Sequence, residues 1–120
     1  MRSDRLRLLD ILDALEVVAR YLPIDRAAFD RDPPLQSHVY RHVLIIGEAA
    51  WKVSQPVKQQ NPQVPWRQIE GMRHIMVHDY FKVNWVRVFE TARDDLPALK
   101  PQIEAIFAAL PPDPDEDPSP

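Results

Sequence analysis

Cysteine is absent from the 120 residues. That excludes disulfides and thiolate metal sites, and it leaves the redox compartment open. No stretch approaches the roughly 18 consecutive apolar residues that a membrane span needs. The start, Met1-Arg2-Ser3-Asp4-Arg5, runs straight into an amphipathic pattern with no signal-peptide core, so a cytoplasmic location is the expectation. No segment alternates apolar and polar residues with period two over a useful length, which argues against strands. There is no internal repeat, no P-loop, no G-x-G-x-x-G and no nucleophile elbow.

What is present suits one helical domain. The length fits one hydrophobic core, and 45% apolar residues is ordinary for a globular chain. The formal net charge is −3, but the end of the chain carries Asp113, Asp115, Glu116 and Asp117 with no Lys or Arg. Without those four negatives the body stands at +1, so a local basic site for an anion is compatible with the acidic total.

Apolar residues recur at three-to-four spacing over residues 4–22, with Ser3 or Asp4 as cap and Pro23 as stop. A short segment, Asp25 to Arg31, has Asp25 as cap and Phe29 as anchor. Asp32-Pro33 pairs a cap with proline at the first helical position, and opens a helix to about Ser54. Its stripe, Leu35, Val39, Val43, Ile46, Ala50 and Val53, is widened by Leu44, Ile45, Ala49 and Trp51, which predicts burial on more than one side. Gly47 within it permits close helix approach. Residues 55–65 read as a loop with room for one helical turn, since they carry three prolines and a run of amides. Pro65 opens a helix to about Phe81, and Asn84 caps a final one. Pro97 and Pro101 predict a kink or break near Asp95-Leu96, then a restart through Leu99, Ile103, Ile106, Phe107 and Leu110. The expectation is an all-α bundle of four to five helices over residues 1–110, with residues 111–120 as a disordered, acidic, proline-rich tail. Trp51, Trp66 and Trp85 are expected as core or interface anchors rather than base-stacking platforms.

The chemistry concentrates in residues 71–81. Arg73, His78 and Tyr80 form the pattern R-x4-H-x-Y, with His74 and Asp79 interspersed. Arginine offers a permanent forked cation for phosphate oxygens, and histidine gives and takes a proton near neutrality. Together they are the minimum for cleaving RNA without a metal, and a second histidine from a symmetric partner would supply the acid that one histidine cannot easily add. The 2′-hydroxyl loses a proton and attacks the adjacent phosphate, the 5′-oxygen gains one, and a cation offsets the charge. On an ideal helix Arg73 and Tyr80 share a face, while His78 lies about 140° around and roughly 7.5 Å along from Arg73. The two converge only if the long arginine wraps round, if the helix end unwinds near Asp79, or if a twofold partner contributes. Blander readings stand beside this one. Arg73, His74 and His78 can be ordinary, partly exposed helix residues. His74 and His78 have zinc-ligand spacing, but position 75 is Ile and no third ligand is evident. His38 and His42 share that spacing on a solvent-facing or interface side. Glu48 is either a surface ion-pair partner or a partner for Arg73 or His78.

Arg73-His74-x3-His78-x-Tyr80 resembles the signature of HepT-like toxins of the HEPN superfamily. Further blocks resemble the family in the same order: Asp4-Arg5-x-Arg7-Leu8-Leu9-Asp10-Ile11-Leu12, Phe29-x2-Asp32, Ile45-Ile46-Gly47-Glu48-Ala49-Ala50, Pro65-Trp66-x2-Ile69-x-Gly71-Met72-Arg73 and Asp95-Leu96-Pro97-Ala98-Leu99. The resemblance spans about residues 3–110. It implies an antiparallel helical bundle forming a twofold homodimer with a shared cleft, and metal-independent endoribonuclease activity that needs no cofactor. Arg73 and His78 match the catalytic pair. His74 matches the polar position after the arginine, where many relatives have asparagine. Glu48 matches an acidic residue near the site, and Asp79 lies within the motif as a supporting residue. Tyr80 matches the tyrosine that a cognate minimal nucleotidyltransferase (MNT) antitoxin modifies with AMP, which silences the toxin. The alternative is a non-catalytic helical module that docks such a nucleotidyltransferase.

Overall fold

The computed structural model describes residues 2–22, 24–75 and 82–114. Its elements are helical: α1 (Asp4–Ala19), α2 (Arg26–Asp30), α3 (Pro33–Lys52), α4 (Gln55–Gln60), α5 (Trp66–Ile75), α6 (Trp85–Glu90), a π-helical stretch (Thr91–Asp95) and α7 (Leu96–Ala109). No β-strand element occurs among the described residues. The fold is all-α, as expected.

Four helix starts are set by the side chains that mark them in the sequence. Ser3 Oγ accepts from Leu6 N at 3.1 Å, and Asp25 Oδ1 accepts from Ala28 N at 2.7 Å. Asp32 Oδ1 accepts from Leu35 N, and Asn84 Oδ1 from Arg87 N, both at 3.1 Å. Each satisfies an amide that the helix itself leaves unpaired.

α3 is the central element. Both α1 and α5 pack along it, and α7 packs against α1. This accords with the breadth of its apolar stripe: Val39, Val43, Ile46 and Ala50 are fully buried, against Leu8 and Ile11 of α1 and Ile69 of α5 in one core. Each such aliphatic side chain contributes roughly 1.5–3 kcal/mol by leaving water. Phe29 of α2 meets Phe89 of α6 with ring centroids 5.2 Å apart, which ties the two short helices together. Trp51 departs from the expected core. It is 52% exposed at the end of α3, whereas Trp66 is buried and Trp85 half-buried against Tyr40.

Three other segments refine the expectation. Within the expected loop over residues 55–65, which allowed for one helical turn, residues 55–60 form the short helix α4. Ser54 heads it, held by Asp4, whose two carboxylate oxygens accept from Ser54 N at 2.8 Å and Ser54 Oγ at 2.6 Å. Val57 and Lys58 are buried beneath it. Near Asp95-Leu96, where a kink or break was expected, a π-helical stretch interrupts the α-helical pattern and α7 restarts at Leu96, with Pro97 in its first turn and Pro101 inside it. Burial of Leu96, Leu99, Ile103 and Ile106 outweighs the hydrogen bond that Pro101 removes. Finally, α1 stops at Ala19, and Leu22 packs on the core from beyond it.

Arg5 closes the far end of α7. Its Nη1 donates to the carbonyls of Phe107 at 3.0 Å and Leu110 at 3.3 Å, and its guanidinium lies 4.1 Å from the Phe107 ring centroid. Asp113 accepts from Ser3 Oγ, so the first tail residues lie beside the start of α1. Residues 115–120 lie outside the described residues.

Candidate functional site

Arg73 sits in the last turn of α5, where that helix comes close to α3. The meeting point is Gly47. A Cβ there would stand 2.9 Å from Arg73 N, 3.0 Å from Arg73 Cγ and 3.2 Å from Ile69 O. Two of these three are backbone atoms that cannot swing aside. Glycine at 47 is therefore what lets the Arg73 turn rest on α3.

The guanidinium is held from two sides. Its carbon lies 4.4 Å from the centroid of the Trp51 ring, within cation–π range. Its Nε donates to Glu70 O at 3.1 Å. Glu70 is fixed in turn. Its Oε1 accepts from Lys58 Nζ at 2.5 Å, and Lys58 is itself buried. The same ammonium donates to Trp51 O at 3.2 Å, satisfying a carbonyl at the C-terminal end of α3. A circuit results: the Trp51 carbonyl, Lys58, Glu70, Arg73 and back to the Trp51 ring. It ties α3, α4 and α5 together around one cation. Among the described residues no carboxylate pairs with Arg73.

The other expected site residues divide. His74 is exposed beside Arg73 on α5. Glu48, exposed on α3, lines a surface groove of about 320 Å3 with Arg7, Asp10, Arg41 and Lys52. No ion pair joins Glu48 to Arg73 among the described residues. His78, Asp79 and Tyr80 lie outside the described residues, and with them the second half of R-x4-H-x-Y and the zinc alternative for His74 and His78. His38 and His42 are half-buried on α3. Their rings lie 4.5 Å apart, Tyr21 meets His38 edge-on at 5.1 Å, and His42 Nδ1 donates to His38 O at 2.8 Å.

The opposite side of α5 borders a wider groove of about 780 Å3, lined by Gln68, Gly71, Arg87 and Asp94 among others. There the Arg93 guanidinium, hydrogen-bonded to Asp94, holds that carboxyl below the usual carboxylate range.

Sequence reasoning missed Trp51, Lys58 and Glu70 as parts of the site. Lys58 is one cation in a segment of amides and prolines, twelve residues before Glu70, and no helical or strand spacing links the two. The one usable signal was Trp51 itself, four residues after the close-approach glycine.

The bundle thus presents Arg73 at the meeting of α3 and α5, with no carboxylate paired to it among the described residues. The family model described as ribonuclease HepT-like matches residues 11–106, and the chain belongs to that family. A candidate RNase of Caldanaerobacter subterraneus is 34% identical over 108 residues, covering 89% of this chain and 96% of its own. A candidate ribonuclease HepT of Thermococcus cleftensis is 33% identical, covering 88% and 96%. A candidate RNase of Methanocaldococcus jannaschii is 30% identical, covering 86% and 90%. No solved structure matches the chain significantly. Among the described residues no helix is long and apolar enough to cross a membrane.

Proposed function

We propose that this chain is a metal-independent endoribonuclease acting in the cytoplasm as the toxin of a HEPN–MNT toxin–antitoxin pair. The observation that carries the reading is Arg73, whose guanidinium is held by the Trp51 ring and Glu70 O and meets no carboxylate among the described residues. In the proposed reaction, Arg73 binds the scissile phosphate. His78 removes the proton from the 2′-hydroxyl, and the 2′-oxygen attacks phosphorus. The bond to the 5′-oxygen breaks, leaving a 2′,3′-cyclic phosphate on one fragment. The departing 5′-oxygen takes a proton from a second acid, supplied by His78 of a twofold-related copy. Arg73 offsets the charge of the phosphorane in between. His74 and Asp79 support the pair, and Glu48 tunes the surrounding field.

Regulation falls on Tyr80. The MNT-type antitoxin transfers AMP from ATP to the phenol oxygen and releases pyrophosphate. The added nucleotide fills the cleft and brings negative charge to Arg73. The family match and the ribonuclease names of the relatives support the enzyme class, and R-x4-H-x-Y supports the residue roles.

The test is RNA cleavage in the presence of a metal chelator, by the wild type and by Arg73→Ala and His78→Ala. Each variant should lose at least about a hundredfold in rate with its helical content unchanged. Full cleavage by both overturns the assignment. Co-expression with the nucleotidyltransferase should add AMP mass at Tyr80 and abolish cleavage. A stable complex in which neither partner state ever cuts RNA would instead mark a non-catalytic docking module.

A further inference from the structure

Three tryptophans occupy three different environments. Trp66 is buried, and its Nε1 donates to Asn61 O at 3.0 Å. Trp85 is half-buried against Tyr40. Trp51 alone among them is open, with 52% of its surface exposed. Its main chain is fixed where Lys58 Nζ donates to its backbone carbonyl, and its ring carries the Arg73 guanidinium. An exposed indole on a fixed backbone, with a cation against its ring, is a preorganised contact surface that loses little freedom when something settles on it.

Arg73 uses Nε for Glu70 O, and among the described residues its Nη groups find no acceptor. A cation with donors to spare therefore adjoins an open aromatic surface. That pairing matches the chemistry of single-stranded nucleic acid, in which a charged phosphate is followed by a flat base. A duplex hides its base faces in the stack and offers no such partner.

We propose that Trp51 is a nucleobase-stacking residue, which receives the base of a single-stranded RNA nucleotide while Arg73 holds the neighbouring phosphate. The proposal rests on the ribonuclease reading for the identity of the ligand. The substrate class that follows is unpaired RNA, with tolerance for sequence, because every base presents a π face. Trp51 belongs to substrate binding, and Arg73 to binding and chemistry together.

The test uses a short 2′-O-methylated oligouridylate, which cannot be cut because its nucleophile is blocked, and an abasic sugar–phosphate chain of equal length. Trp51→Ala should bind the oligouridylate about tenfold more weakly than the wild type, in line with the loss of one stacked base. Trp51→Phe should retain most of the affinity. Both proteins should bind the abasic chain equally. On cleavable RNA, Trp51→Ala should raise KM more than it lowers kcat. Equal affinity of wild type and Trp51→Ala for the oligouridylate overturns the proposal. An equal loss on the abasic chain also overturns it, since Trp51 would then act only by orienting Arg73. A changed sedimentation coefficient with unchanged RNA affinity overturns it in favour of a contact between copies of this chain. The two readings fail separately. Stacking on Trp51 without any cleavage sinks the ribonuclease assignment alone, whereas cleavage with Trp51-independent binding sinks the stacking alone.

Discussion

The two faces of α5 are built on opposite plans, and its surroundings hold the chain's two glycines, one for each plan. On the face toward α3, Gly47 is missing a side chain because there is no room for one: backbone atoms of Arg73 and Ile69 stand within 3.2 Å of where a Cβ would be. On the other face, Gly71 has nothing within 4 Å of its missing Cβ and borders an open groove. The same residue type is a packing requirement at one place and an unneeded loss of helix propensity at the other. The tight face carries Arg73 and its support. The loose face carries glutamines, exposed charges and space. Precision in α5 is therefore concentrated where an anion would bind.

The largest expected stability effect strikes the support. Lys58→Ala leaves Glu70 unpaired beside Arg73 and frees a carbonyl of α3. It should lower stability by about 3 kcal/mol, read by urea denaturation. Combining Lys58→Met with Glu70→Leu should recover most of that loss, because removing both charges removes the unpaired one. A double variant as unstable as the single would mean that packing, not charge, holds α4 on α5.

Next comes the tight glycine. Gly47→Ala should lower stability by roughly 1–3 kcal/mol through overpacking and shift the Arg73 turn, so cleavage should fall by more than the unfolded fraction explains. Smallest is the loose glycine. Gly71→Ala should raise stability by about 0.5–1 kcal/mol, with little change in cleavage, because alanine leaves the unfolded chain less conformational freedom to lose than glycine does. Melting temperatures of the two alanine variants should move in opposite directions. Shifts of the same sign would dissolve the distinction between the faces.

Much of the fold was legible along the chain. The caps at Ser3, Asp25, Asp32 and Asn84 announce themselves by residue type and place, and each accepts its bond. Helical period predicted α1, α3 and α5, and the width of the α3 stripe predicted its central place. Where expectation failed, local propensity lost to burial. Prolines and amides argued for a loop over residues 55–65, but Val57 and Lys58 are buried and Asp4 holds Ser54, so α4 forms. Pro97 and Pro101 argued for a kink or break near Asp95-Leu96, and the irregularity falls there, in Thr91–Asp95, while four buried side chains carry α7 through Pro101. Trp51 counted as apolar in the stripe although its angular position carries it out of the core.

The candidate site was legible in its chemistry rather than in its construction. Arg73 stands out because an arginine, two histidines, an aspartate and a tyrosine crowd one short stretch. Residue type alone determines that this stretch can bind phosphate and move protons, since charge and proton affinity belong to the side chains wherever they sit. The periodicity of apolar residues likewise determined an all-α chain. Only the tertiary structure decided that Gly47 seats Arg73, that Lys58 and Glu70 brace it, and that Trp51 lies against it with its ring open. Those relations join residues up to 26 positions apart through space, between Gly47 and Arg73. No local pattern encodes them, because they exist only once burial of the common core has brought three helices to one point.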